Sequence, residues 1–174
     1  MILVIMGMEV HPFDRLARAI DKLAAGGAVK EEFFVQLGAC TYEPQHARFD
    51  RYLSFGDLCD QIRASSAVIT HAGAGSTLTC IQQGKFPIMV PRRAKDGEHV
   101  DDHQFPFTEK MCDIGYATAV REMSELPAAI KSVQGRTAEA NALSNSSEIT
   151  DWLEDFWTNL ASRAKQWRGP GIRS

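Results

Sequence analysis

Ala67-Val-Ile-Thr-His-Ala-Gly-Ala-Gly-Ser76 is the stretch whose reading decides the fold. Ala67 to Thr70 is short and apolar, as a strand buried on both faces requires. The glycines then break the strand, and a helix is predicted from about Gly75 to Gln83, stopped by Gly84. Glycines let backbone approach a ligand closely, and a helix N-terminus offers unpaired N–H groups and the positive end of a dipole. Ser76 adds a hydroxyl donor, so a phosphate fits at this turn. The competing reading is a tight turn that only packs. The pattern lacks the G-x-G-x-x-G spacing of dinucleotide folds. It also lacks the Gly-Lys-Ser/Thr of a P-loop, so ATP hydrolysis has no support.

Outward from this turn, strands and helices alternate. Ile2 to Met6 is a continuous apolar run ending in Gly7. Pro12 opens a helix carrying Phe13, Leu16, Ala17, Ile20 and Leu23 at helical spacing, with Gly26-Gly27 as its stop. Phe33 to Leu37 reads as a second strand and Phe49 to Phe55 as a third, followed by a short helix from Gly56 to Ser65. Downstream, Pro87 to Val90 is a strand and residues 92–98 are a charged loop. A helix is predicted from His99 to Asp113, kinked by Pro106, before a last strand from Tyr116 to Val120. This alternation predicts an α/β fold, a Rossmann-like parallel sheet with helices on both faces.

The 174 residues fit one such domain, residues 1–136, with a C-terminal helical extension over 137–174. Residues 137–147 are small and polar, a weak helix or a linker. Ile149, Trp152, Leu153, Phe156, Trp157 and Leu160 then share one apolar helical face. That face either covers the sheet or contacts a partner, a membrane surface or a second copy of the chain.

Net charge is −3, which argues against a general nucleic-acid binder. Cys40, Cys59, Cys80 and Cys112 form no C-x-x-C pair, so reduced thiols in a cytoplasmic protein are expected, not a zinc ribbon. The apolar start lacks a basic leader and a small-residue cleavage site, so no signal peptide is expected. No apolar run approaches the ~20 residues of a membrane span.

Ligands of open α/β sheets bind beyond the carboxyl ends of the strands. Two further segments belong there. Pro91-Arg-Arg-Ala-Lys-Asp-Gly-Glu-His-Val-Asp-Asp-His-Gln104 supplies Arg92, Arg93 and Lys95 for an anion, and Glu98, Asp102 and Gln104 for hydroxyls. His99 and His103 stand four apart, a metal-ligand spacing, yet no third ligand is evident and no metal is expected. Gly7-Met-Glu-Val-His-Pro12 places Glu9 and His11 near the cleft, where either is a candidate base.

These pieces together resemble the C-terminal domain of family 28 glycosyltransferases, and the small PssE-type subunit of exopolysaccharide synthesis in particular. The resemblance rests on Met1-Ile-Leu-Val, Pro12-Phe-Asp-Arg-Leu16, His71-Ala-Gly-Ala-Gly-Ser76, Gly84-Lys-Phe-Pro87, Pro91-Arg-Arg93 and Gly97-Glu-His-Val-Asp-Asp-His-Gln104. It implies one C-terminal-type lobe of a two-lobed GT-B enzyme that needs no cofactor. That lobe would bind a UDP-sugar, with glucuronic acid as the best guess. A separate membrane-associated subunit of the PssD type would supply the acceptor lobe at the inner face of the cytoplasmic membrane. The eukaryotic dolichol-linked N-acetylglucosaminyltransferase pair divides in the same way. The implied reaction is inverting transfer to a polyprenyl-diphosphate-linked saccharide.

By that resemblance Gly7, Met8, His71, Gly73, Ala74, Gly75 and Ser76 would lie at the diphosphate. Glu98, His99, Asp102, His103 and Gln104 would face the ribose or the sugar, and Arg92 and Arg93 would suit a uronic-acid carboxylate or equally a phosphate. Two positions depart from the pattern. Met8 stands where many relatives carry a threonine hydroxyl, and Thr79 where the wider superfamily has a ribose-binding glutamate. Two rival readings remain: a metal-dependent hydrolase using His99, Asp102 and His103, and a non-catalytic nucleotide-sugar-binding assembly subunit.

Overall fold

Four fully buried apolar residues make β1 (Ile2–Ile5) the centre of the sheet. The computed structural model describes residues 1–138, 151–156 and 158. After β1 come α1 (Asp14–Gly26), β2 (Phe33–Gln36), β3 (Arg48–Asp50), α2 (Phe55–Ala64) and β4 (Ala67–Thr70). They are followed by α3 (Ala74–Gln82), β5 (Ile88–Met89), α4 (Gln104–Asp113), β6 (Thr118–Ala119) and α5 (Leu126–Val133).

The strand order is β3-β2-β1-β4-β5-β6, and every neighbouring pair is parallel. This is the doubly wound order whose direction of winding reverses between β1 and β4. Ile5 stands opposite Gln36 on one side and Thr70 on the other. The carboxyl ends of β1, β2 and β4 are therefore level, and their loops open on one edge.

Alternate strand residues feed two cores. Ile2, Val4 and Met6 pack with Phe13, Leu16 and Ile20 of the α1 region and with Leu126, Ile130 and Val133 of α5. Leu3, Ile5 and Val68 pack on the other face with Ile62 of α2 and Cys80 of α3. All four cysteines are free. Among the described residues no helix is long and apolar enough to cross a membrane.

Three sequence readings change. The third strand covers Arg48–Asp50, not Phe49 to Phe55, because Ser54 caps α2: its hydroxyl accepts the Asp57 N–H at 3.1 Å. The helix predicted from His99 begins at Gln104, which leaves His99 and His103 in the preceding turns. Pro106 is then the third helical residue, where no N–H has an intrahelical acceptor, and it has no bond to break. Finally, α5 was not read from the sequence, although Leu126, Ala129, Ile130 and Val133 bury one face behind Pro127.

The chain divides into two units, Met1–Glu139 and Ala140–Ser174. In the second, residues 151–156 and 158 are helical, and the Trp152 and Phe156 rings stack with centroids 5.0 Å apart. The readings made for residues 139–147 and for Ile149, Trp157 and Leu160 lie outside the described residues.

Candidate functional site

The β4–α3 turn is built around a buried histidine. His71 is 6% exposed, and its Nδ1 lies 3.2 Å from the Ile5 carbonyl oxygen. Burial pulls its pKa down to about 3, and the charges of Arg92 and then His99 act in the same direction. The ring is therefore neutral at pH 7, with the proton on the Nδ1 that donates to Ile5. A Cβ placed on Gly7 would meet Nε2 at 2.7 Å, and one on Gly73 would meet it at 2.2 Å. Gly7 also holds a φ of +87°. Only glycine meets both demands, so the imidazole serves as a spacer between the two loops.

Above this spacer the backbone is strained and open. Ala72 has a φ of +60°, the one positive value at a non-glycine residue among those described. Gly73 is the N-cap of α3 and no side chain caps the helix. The Thr77 N–H returns to the Gly73 carbonyl at 3.0 Å, while Ala74, Gly75 and Ser76 form the first turn, whose N–H groups have no intrahelical acceptor. Gly75 is exposed, with nothing within 4 Å of an added Cβ. Such a turn can receive an anion. The Thr79 hydroxyl donates back along the helix to the Gly75 carbonyl at 2.8 Å.

The β1–α1 loop lies beside it. Gln36 accepts the Gly7 N–H at 3.1 Å and donates to the Gly7 carbonyl at 3.0 Å and the Arg51 carbonyl at 3.0 Å. Met8 and Glu9 are exposed. The His11 ring lies 6.0 Å from that of His99, and His99 packs edge-on against His103 at 4.6 Å. The structure thus gathers His11, His99 and His103 from two loops.

The β5–α4 loop separates into framework and surface. Arg92 is 2% exposed, and Gln104 accepts its backbone N–H at 2.9 Å. Glu98 is 4% exposed and fully engaged: Arg15 donates to both its oxygens at 2.8 Å, and the Arg93 N–H donates to one at 2.9 Å. Arg93 pairs with Glu122 at 2.8 Å, and Asp102 accepts the Ala94 N–H at 2.9 Å. Arg92, Glu98 and Gln104 fold the loop from inside, because buried charges must find partners first, whereas Asp102 is exposed. The residue that joins the two histidines is Asp101, not Asp102. His103 Nδ1 bonds to it, and one ligand atom each from His99, Asp101 and His103 lie within 4.8 Å of one another.

Sequence reading missed Gln36, Arg15 and Asp101. Gln36 had a signal, as the one polar residue of the strand Phe33–Gln36. Arg15 had none, since its partner lies 83 residues away.

Several solved glycosyltransferases share this architecture. CalG4, the calicheamicin glycosyltransferase, is similar with a TM-score of 0.57 at 15% identity, over 92% of this chain and 38% of that one. The glycotransferase of kitacinnamycin matches with a TM-score of 0.57 at 12% identity, over 92% and 39%. SnogD from Streptomyces nogalater matches with a TM-score of 0.51 at 22% identity, over 77% and 34%. The fold is thus a single lobe of the GT-B class, and the chain spans under two-fifths of the length of these structures. Within that class, the chain belongs to the glycosyltransferase family 28 C-terminal domain family, whose family model matches residues 1–155. No curated protein matches the sequence.

Proposed function

We propose that this chain is the donor-binding lobe of an inverting, PssE-type glycosyltransferase. It takes a UDP-sugar, with glucuronic acid as the first candidate, and works with a PssD-like membrane-associated subunit that presents a polyprenyl-diphosphate-linked acceptor. One observation carries this reading: the uncapped first turn of α3, Ala74 to Ser76, opens where the sheet reverses its winding.

In the reaction, an acceptor hydroxyl oxygen attacks the anomeric carbon as the bond from that carbon to the UDP oxygen breaks. Charge then grows on the leaving diphosphate, and the α3 N–H groups and helix dipole stabilise it there. The acceptor proton needs a base. His11, next to His99, and the exposed Glu9 are the candidates within this chain; the partner lobe is the other source.

Gly75→Ala with Ser76→Ala is expected to weaken UDP binding about tenfold or more, since a lost donor and a methyl both act at the phosphate. The fold should tolerate the pair, because the added Cβ at Gly75 meets nothing within 4 Å. Calorimetry that returned unchanged UDP affinity would remove the donor-site assignment. A panel of UDP-sugars, run on the chain with its partner co-expressed, identifies the sugar.

The His99–Asp101–His103 group favours a second reading, metal-assisted hydrolysis. Metal analysis after purification without chelator separates the two. Stoichiometric zinc together with metal-dependent hydrolysis would support the hydrolase.

A further inference from the structure

Arg92 is a cation that the protein buries without pairing. Its guanidinium is fully enclosed, and only Nη2 is bonded, donating to the Met6 carbonyl at 2.6 Å. Nε and Nη1 are buried with no hydrogen-bond partner. The Phe13 ring lies 5.5 Å from its central carbon. Its nearby carboxylates are otherwise placed: Glu98 is held by Arg15, and Glu9 is exposed on its loop. Arginine stays protonated in proteins, so this is a permanent positive charge.

Such an arrangement works against the fold. Well-packed apolar residues usually replace buried ionic groups without loss of stability, and a buried charge lacking a partner is costly. Five donors fit carboxylate or phosphate anions, yet two of the nitrogens are idle here. The position explains what the charge is for. Met6, which accepts from Arg92, immediately precedes Gly7, and Gly7 rests on the His71 ring. The same ring supports Gly73 at the head of α3, and His71 feels the Arg92 charge. Arg92 thus lies beneath the two loops that border the uncapped helix turn. Nε and Nη1 are closed to solvent, so a ligand on the surface of those loops does not touch them.

We propose that Arg92 is a positioning residue whose buried charge is balanced by the diphosphate bound over the His71–Ser76 loop. It acts through its field and through its hold on Met6, not by contact. The inference rests on the donor-binding reading above and gives Arg92, which the sequence alone put at the ligand, a role without contact. In the free protein the charge is poorly compensated, and the arriving anion supplies the compensation. Fields of this kind are stronger inside protein than in water, because the intervening medium screens less.

The test uses Arg92→Gln, which keeps a donor for Met6 but loses the charge, and Arg92→Lys, which keeps the charge. Affinities for UDP and for uridine are measured by calorimetry, and urea midpoints are measured without ligand. Arg92→Gln is expected to lose about tenfold or more in UDP affinity while binding uridine as the wild type does. Its urea midpoint should stay equal or rise. Arg92→Lys should recover UDP affinity to within about threefold of wild type. Three results would overturn the proposal: an Arg92→Gln chain that binds UDP normally, one that loses UDP and uridine alike, or one that fails to fold. A wild-type chain that binds no UDP would overturn the donor-site reading itself, and this inference with it. Normal wild-type binding with a normal Arg92→Gln defeats the Arg92 role alone.

Discussion

At the scale of single residues, the β4–α3 turn holds strain and neutrality side by side. Ala72 in the left-handed region costs about 1–2 kcal/mol, whereas glycine there would lose about 0.5–1 kcal/mol of chain entropy on folding. Relief of strain is the larger effect, so Ala72→Gly is expected to raise the urea midpoint slightly while loosening UDP binding. Equal or lower stability would show that the turn is relaxed as built.

His71 sets a pH signature. Its folded pKa of about 3 lies below the ordinary 6.5. The unfolded chain therefore binds a proton between these values that the folded chain does not. This contribution is complete above pH 6.5 and is lost as pH falls toward about 3, by up to about 1.4 kcal/mol per unit. His99, held low first by burial and then by the His103 charge, has the same sign. Between pH 7.5 and 5, most carboxylates stay ionised. Urea midpoints of the wild type should fall across that range, and those of His71→Gln should fall less. Parallel slopes would mean that His71 is not held neutral.

At the scale of elements, the β5–α4 loop is tied to α1 by the two-pronged Arg15–Glu98 pair. Glu98→Gln removes the charge and leaves Arg15 short of an acceptor, at a cost of about 2–3 kcal/mol. Thermal unfolding should shift downward by a similar margin with and without UDP. A loss seen only in UDP affinity would return Glu98 to the ligand.

The strands β1 and β4 and the helix α1 were legible because burial on both faces, or on one stripe, writes a local pattern. The turn from His71 to Ser76 was legible for the same reason, since its glycines adjoin a strand in sequence. The loop from Arg92 to Gln104 was not. Its composition reads as ligand-facing charge, and only distant partners such as Arg15 and Met6 reveal that Glu98 and Arg92 are interior. His71 likewise becomes a spacer only once Gly7 and Gly73 are neighbours in space. Helix α5 carries a readable stripe in Leu126, Ala129, Ile130 and Val133.

At the scale of the whole molecule, exposed large apolar side chains are unevenly spread among the described residues. Met8, Val10, Tyr52, Phe55 and Val100 are all more than half exposed, and each follows the carboxyl end of a strand, on the edge that carries the α3 turn. A rim of this kind marks a surface that meets another body. In the proposed enzyme that body is the acceptor lobe. Val10→Ser with Val100→Ser should therefore leave UDP affinity within about twofold while reducing co-purification with the co-expressed partner about tenfold. Intact co-purification would move the interface elsewhere.

The outer strands carry one more consequence. β3 has three residues, with Arg48 and Asp50 exposed, and β6 has two. Unpaired main-chain groups at a sheet margin normally invite a second sheet to add on, and brevity and charge discourage this. In the proposed two-subunit enzyme, the lobe is thereby guarded against fibre-like stacking during the interval when it has been made and its companion has not. Any clumping in that interval should start from the apolar rim, and a mild detergent rather than a strand-blocking mutation should suppress it.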